Sequence, residues 1–258
     1  MAKVYFIGAG PGDPELLTLK GKGIIEKADV IIYAGSLVNE KILDFARKEA
    51  GVYNSAVMTL EEVVEIYKQY KDTGATVARI HTGDTSLYSA IAEQIEWCEK
   101  EGIEYEVIPG VSSFCAAAAA LKQELTLPGI SQTVIITRAS GRTSVPVPEV
   151  LPHNEDIAKL AQIKATLIIF LSVDKIDEIV DKIICGYEKT TPVAVVYKAS
   201  WDDERIIRGT LADIADKVKK EGIKRQALII VGDVLKREGF EKSRLYAQEF
   251  THLYRTGN

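Results

Sequence analysis

The chain is short of the residues that build most catalytic machines. It carries only three histidines in 258 residues, and they do not pair at a spacing that would bring two ligands together. A histidine-based metal site is therefore not expected. The three cysteines, Cys98, Cys115 and Cys185, are odd in number, widely spaced and set in apolar or helical contexts. Buried free thiols in a reducing cytoplasm are the expectation. No apolar run is long enough to span a membrane, and Met1-Ala2-Lys3 leads straight into a strand with no signal-peptide pattern. Basic excess is missing too. The formal net charge of −5 argues against a dedicated nucleic-acid binder. An anionic substrate would have to meet a local cationic patch, because the global field is mildly repulsive. No nucleophile, triad or metal motif is visible.

What the chain does have is a set of stiff, bare loops at strand ends. The first is Gly8-Ala9-Gly10-Pro11-Gly12-Asp13-Pro14, directly after the apolar run Val4-Tyr5-Phe6-Ile7. Glycine permits close backbone approach, and proline stops the turn from becoming helix. Such a loop makes a ligand floor at the carboxyl edge of an open α/β sheet. A dinucleotide fingerprint fails here, because its third glycine position is Asp13 and Pro14 follows. A Walker loop fails for want of a following Gly-Lys-Ser/Thr. A tight βα turn with no ligand is the plain alternative.

Helices and strands alternate from there. Thr18 caps a helix to about Lys27, Asp29 to Ala34 reads as a strand, and Val38 to Lys48 reads as a helix. Thr59 and Glu62 form a capping box for a helix to about Lys71. The strand Thr76 to Ile80 empties into His81-Thr82-Gly83-Asp84-Thr85-Ser86-Leu87-Tyr88, before a helix from Ser89 to Glu101. Asp84 either accepts hydrogen bonds from an amine or ribose, or simply caps the next turn. His81 is expected to be packed or hydrogen-bonded. The strand Glu104 to Ile108 leads to a third loop, Pro109-Gly110-Val111-Ser112-Ser113, and an alanine-rich helix over 116–120.

Leu127-Pro128-Gly129 reads as a joint, so the expected domains are 1–122 and 123–258, both α/β, the second with a polar tail from Glu238. The tail is expected to be partly mobile or to pack on a partner. A strand over Thr133 to Arg138 precedes a long loop, Ala139 to Asn154, with Gly141 and Pro146, Pro148 and Pro152. Arg138 and Arg142 either clamp carboxylates bidentately or are plain surface arginines. Further strands are expected at Ala165 to Leu171, Pro192 to Tyr197, Arg205 to Arg208 and Gln226 to Val231, with helices at Asp174 to Cys185 and Leu211 to Glu221.

The three loops, in this order and spacing, resemble the tetrapyrrole methylases, the S-adenosylmethionine (SAM) enzymes of the corrin and sirohaem pathways. The runs His81 to Tyr88, Thr137 to Thr143, Tyr197 to Glu204 and the tail from Lys242 to His252 are similar to the precorrin-4 C11-methyltransferase branch of that family. Thr85 and Asp202 stand where that pattern usually has proline. The resemblance implies two α/β domains with SAM in a cleft between them, S-adenosylhomocysteine as product, no protein-bound metal, and a homodimer. It implies cofactor contacts at Pro11, Gly83, Asp84, Ser112 and Ser113, and at Leu171, Ala199 and Ala227, which would otherwise read as ordinary core. Arg138, Arg142, Lys198 and Arg205 are the candidates for holding an anionic tetrapyrrole. A different ring position, uroporphyrinogen III or diphthine remain open as acceptors. From other classes, a nicotinamide-dependent oxidoreductase and a non-catalytic binding module are the rivals.

Overall fold

The computed structural model describes residues 1–139, 156–236, 238–243, 245 and 247–256. Its contacts divide the chain into two compact units. The first is Met1–Ala117 with Lys198–Glu204; the second is Ala118–Tyr197 with Arg205–Asn258.

In the first unit, β1 (Lys3–Gly8), β2 (Val30–Tyr33), β3 (Gly51–Asn54), β4 (Thr76–His81) and β5 (Glu104–Ile108) form one sheet in the order β3-β2-β4-β1-β5. Every pairing is parallel. The helices α1 (Leu19–Ile25), α2 (Leu60–Tyr70) and α3 (Ala92–Glu101) lie in the crossovers, and α4 (Ser113–Leu121) follows the last strand. Successive strand residues point to opposite faces, so each face builds its own core. Ile7, Ile31, Ala78 and Ile80 pack with Ile25 of α1 on one face. Val4, Phe6, Val30, Ile32 and Val77 pack with Val63 and Tyr67 of α2 and Cys98 of α3 on the other. Burial on both faces is what a parallel sheet requires, and it explains the near-continuous apolar strands.

Local chemistry sets the helix starts. Thr18 accepts a hydrogen bond from Gly21 N at 3.1 Å, and Thr59 with Glu62 closes the capping box. Three expectations are corrected. Val38 to Lys48 is not an α-helix: a 3-10 helix, Glu40–Phe45, forms behind an Asn39 cap and buries Ile42. The helix expected from Ser89 begins only at Ala92, because Tyr88 and Ala90 hold left-handed angles, φ 56° and 49°. Of the cysteines, Cys98 is buried, but Cys115 and Cys185 are exposed; all three are free.

The second unit has β6 (Val134–Arg138), α5 (Ile157–Ala161), β7 (Thr166–Phe170), α6 (Ile176–Ile183), β8 (Pro192–Tyr197), β9 (Arg205–Thr210), α7 (Ile214–Lys220) and β10 (Ala227–Val231). Its sheet order is β6-β7-β10-β8-β9. Only β6 and β7 run parallel; the other pairings are antiparallel. Leu167, Ile169, Val195 and Ile229 pack with Ile179 of α6 and Ile214 of α7. The described tail returns to this unit: Glu241 N donates to Pro128 O at 3.0 Å. Within the tail, Arg255 Nη2 donates to the carbonyls of Leu245 and Ala247 at 2.9 and 2.6 Å. Among the described residues, no helix is long and apolar enough to cross a membrane.

One buried polar cluster lies under β4. The Arg79 guanidinium donates to Gln94 Oε1, Ile32 O and Ser55 Oγ at 3.0–3.2 Å. Tyr67 donates its hydroxyl to the same Gln94 oxygen at 2.8 Å. His81, two residues on, is buried against Phe6, and its Nε2 has no hydrogen-bond partner. Burial, helped by the Arg79 charge, pushes its imidazole from 6.5 down to about 3. The unfolded chain therefore takes up a proton below about pH 6.5 that the folded chain refuses. Stability from this group is full above pH 6.5 and is lost as pH falls, by up to about 1.4 kcal/mol per pH unit. Urea unfolding of His81→Leu at pH 7, 6 and 5 should show a shallower loss than the wild type, by about one proton's slope. Equal slopes would mean that His81 titrates normally in the fold.

Candidate functional site

Three loops leave the carboxyl ends of β1, β4 and β5 and meet as bare backbone. Gly10 and Gly83 form a two-way bridge, with N–H···O distances of 3.1 and 2.8 Å. Gly8 and Gly110 pack closer still. A Cβ on Gly8 would lie 2.7 Å from Gly110 Cα and Gly83 O, and one on Gly110 would overlap Gly83 O. Asp84 then ties the second loop to the third. Its Oδ2 accepts from Gly110 N at 2.8 Å, and its Oδ1 accepts from Ser86 N at 2.9 Å and from the Ser86 hydroxyl. Partial burial pushes the carboxyl up, but these donors outweigh it and hold it below its usual range. Asp84 is thus both a turn cap and a brace between loops. Ser112 is buried at the start of the turn that opens α4, and Ser113 is that helix's first residue.

The opening loop is held on its other side by Lys198–Glu204, which belongs to the same unit. Trp201 Nε1 donates to Pro11 O at 2.9 Å, and Ser200 Oγ accepts from Asp13 N at 3.0 Å. Asn39 Nδ2 donates to Gly12 O at 2.9 Å. Asp202 pairs with Lys41 at 2.6 Å. Ala199 is buried within this segment. The Lys198 ammonium sits 2.7 Å from Asp203 Oδ2 and 5.1 Å from the centre of the Trp201 ring.

The remaining candidates lie on one end of the second unit's sheet. Arg138, the last residue of β6, pairs with Phe170 of β7. Ala227, the first of β10, pairs with Tyr197, and Tyr197 pairs with Arg205, the first of β9. Leu171 directly follows β7 and is not core: it is 54% exposed with φ 52°. The Arg205 guanidinium lies 4.6 Å from the Tyr197 ring centre and 3.4 Å from a Glu221 carboxylate oxygen. Arg142, the rest of the loop from Ser140 to Asn154, and the tail residues Arg244 and Tyr246 lie outside the described residues.

Sequence reasoning missed the roles of Asn39, Ser200 and Trp201. It also had no sign of the strained backbone. Leu171, Lys198, Ser200 and Gln226 all have positive φ without being glycine. They fall on or beside Leu171, Ala199 and Ala227. Such angles cost roughly 1–3 kcal/mol each and concentrate where a ligand is gripped. The carboxylate of Asp84 is already engaged by Gly110 and Ser86.

The pattern of the tetrapyrrole (corrin/porphyrin) methylases matches residues 3–215. The chain belongs to that family. It is 58% identical over 254 residues to the cobalt-precorrin-4 C(11)-methyltransferase of Methanocaldococcus jannaschii, covering 98% of this chain and 96% of that protein. The X-ray structure of a cobalt precorrin-4 methyltransferase superposes with a TM-score of 0.85 at 45% identity, covering 90% of this chain and 95% of the other. Uroporphyrin-III C-methyltransferase from Thermus thermophilus, solved with S-adenosyl homocysteine, gives a TM-score of 0.76 at 26% identity, covering 92% of this chain and all (100%) of that one. The two-sheet α/β architecture of this methylase is the family's own.

The glycine contacts are testable by stability alone. Gly110→Ala should cost about 3 kcal/mol in urea unfolding, because its new methyl meets backbone that cannot move aside. Gly23→Ala, inside α1 with nothing within 4 Å, should stabilise by about 0.5–1 kcal/mol. A tolerated Gly110→Ala would show that the loops do not need bare backbone.

Proposed function

We propose that this methylase transfers a methyl group from SAM to C11 of precorrin-4 or cobalt-precorrin-4 in corrin biosynthesis. The observation that carries this reading is the 58% identity, across nearly the whole chain, to a cobalt-precorrin-4 C(11)-methyltransferase. The bare loop cluster supports the donor, as does the S-adenosyl homocysteine in the uroporphyrin-III relative.

SAM, when bound, supplies a methyl group already activated by its sulfonium. The chain's residues have the simpler tasks of holding and aligning. Pro11, Gly83, Asp84, Ser112 and Ser113 are the proposed contacts from the first unit's loops, with Ala199 from the Lys198–Glu204 segment of the same unit. Leu171 and Ala227 are the proposed contacts on the second unit's sheet end. Alignment of reacting atoms can supply roughly 7–11 kcal/mol of a barrier without acid–base help. Arg138, Arg142, Lys198 and Arg205 are proposed to meet the ring's carboxylates, since arginine grips carboxylate bidentately. The family resemblance supports a homodimer with no resident metal, and the three free cysteines support a reducing, cytoplasmic setting.

Isothermal titration should show saturable binding of S-adenosylhomocysteine and none of NADH. The reverse pattern would favour the oxidoreductase rival. With a carbon-labelled methyl donor, NMR of the product should place the label on C11; label elsewhere would change the acceptor. Arg138→Glu should raise KM for the tetrapyrrole about tenfold or more, with KM for SAM unchanged. An unchanged tetrapyrrole KM would remove Arg138 from the substrate site.

A further inference from the structure

We propose that Trp201 is a positioning residue that locks the Gly8–Pro14 loop in its cofactor-binding shape. This rests on the reading of that loop as part of the SAM site. Three observations lead to it. The indole N–H donates to Pro11 O at 2.9 Å, across 190 positions of sequence. Gly12 lies directly against the indole, and a Cβ there would overlap Nε1 and Cδ1 of Trp201. All three nearest atoms to that Cβ belong to Trp201, and Gly12 does not have a left-handed angle. Glycine is needed at this position for the indole, then, and not for the turn.

The tryptophan is itself locked. Trp201 N donates to Lys198 O, and Glu204 N donates to Trp201 O, both at 3.0 Å. Ser200 N donates to Glu204 Oε2 at 2.7 Å, while Ser200 Oγ accepts from Asp13 N. The kink that aims the ring uses two left-handed residues, Lys198 at φ 47° and Ser200 at φ 71°. A strained, cross-braced turn of this kind is what holds a loop in one conformation. With the Pro11 carbonyl occupied by Trp201, the proline ring and the far side of the loop are left to meet ligand. Freeing that carbonyl would let the loop sample other shapes, and binding would then draw on only the competent fraction.

The variant Trp201→Phe keeps an aromatic face and removes the N–H. The affinity for S-adenosylhomocysteine, measured by titration, should fall about two- to tenfold, the range for one hydrogen bond. KM for SAM should rise by a similar factor, while KM for the tetrapyrrole and the melting temperature stay near wild type. Gly12→Ala should weaken S-adenosylhomocysteine binding by about tenfold or more in the wild type, yet add nothing in a Trp201→Ala background. That non-additivity is the signature of a direct Gly12–Trp201 contact, and a merely structural role would not produce it. If the wild type binds S-adenosylhomocysteine and Trp201→Phe binds it equally well, the proposal is overturned and the functional reading stands. Additive losses in the double variant would overturn it too. If the wild type itself does not bind, the reading of the loop as a SAM site falls first, and this proposal with it.

Discussion

The contact on which the rest of the first unit depends is backbone against backbone, where Gly8, Gly83 and Gly110 meet. Three parallel strands end side by side, and their loops must turn over the same small area. A methyl on Gly8 would press on two neighbours at once, and one on Gly110 would overlap a carbonyl. Close approach alone would leave the part-buried N–H of Gly110 without a protein partner, and a fully buried group of that kind costs about 1–3 kcal/mol. The Asp84 carboxylate removes that cost by accepting from Gly110 N while also capping its own turn. One acidic side chain thus serves two loops, and the glycines make room for it to do so.

Close packing at a sheet edge also explains why a segment from late in the chain belongs with the first unit. Lys198–Glu204 follows β8 of the second unit but packs with the first. Its one buried apolar side chain is the small Ala199. Its anchors are an indole N–H, a serine hydroxyl and an ion pair, all directed to the opening loop or beside it. The Lys41–Asp202 pair is exposed and contributes little, on the order of 0–1 kcal/mol. The indole and hydroxyl bonds are partly buried and satisfy backbone groups, so they hold the segment.

Much of the fold was legible in the sequence because apolar periodicity and caps are local. β1, β2, β4 and β5, α2 with its capping box, and the glycine loops after each strand could be read directly. The short edge strand β3 (Gly51–Asn54) could not, since only part of its surface is buried and its pattern is weak. The Val38 to Lys48 stretch carried a helical pattern, yet Asn39 starts a 3-10 turn that ends at Phe45. At the candidate site, residue types on loops were visible and their partners were not. Nothing in the string places Trp201 against Gly12, and nothing marks Leu171 or Gln226 as left-handed. Those are tertiary facts, set by pairing register and by turns far apart in the chain. Periodicity reads Leu171, Ala199 and Ala227 alike as core, yet Leu171 is 54% exposed while Ala199 is buried.

The two sheets present different edges for a physical reason. In an all-parallel sheet, one edge collects only strand ends, and each must be followed by a loop into a helix. That geometry yields the glycine-rich platform of the first unit. In the second unit, antiparallel pairing sets strand ends beside strand starts. Arg138 and Phe170 end their strands, Ala227 and Arg205 begin theirs, and Tyr197 pairs with both of the latter. Cationic, aromatic and small residues from five strands therefore line up in one row. One edge is a platform of peptide groups; the other is a row with an arginine at each end. The contrast between the two edges, peptide groups in one sheet and side chains of mixed type in the other, follows from strand direction.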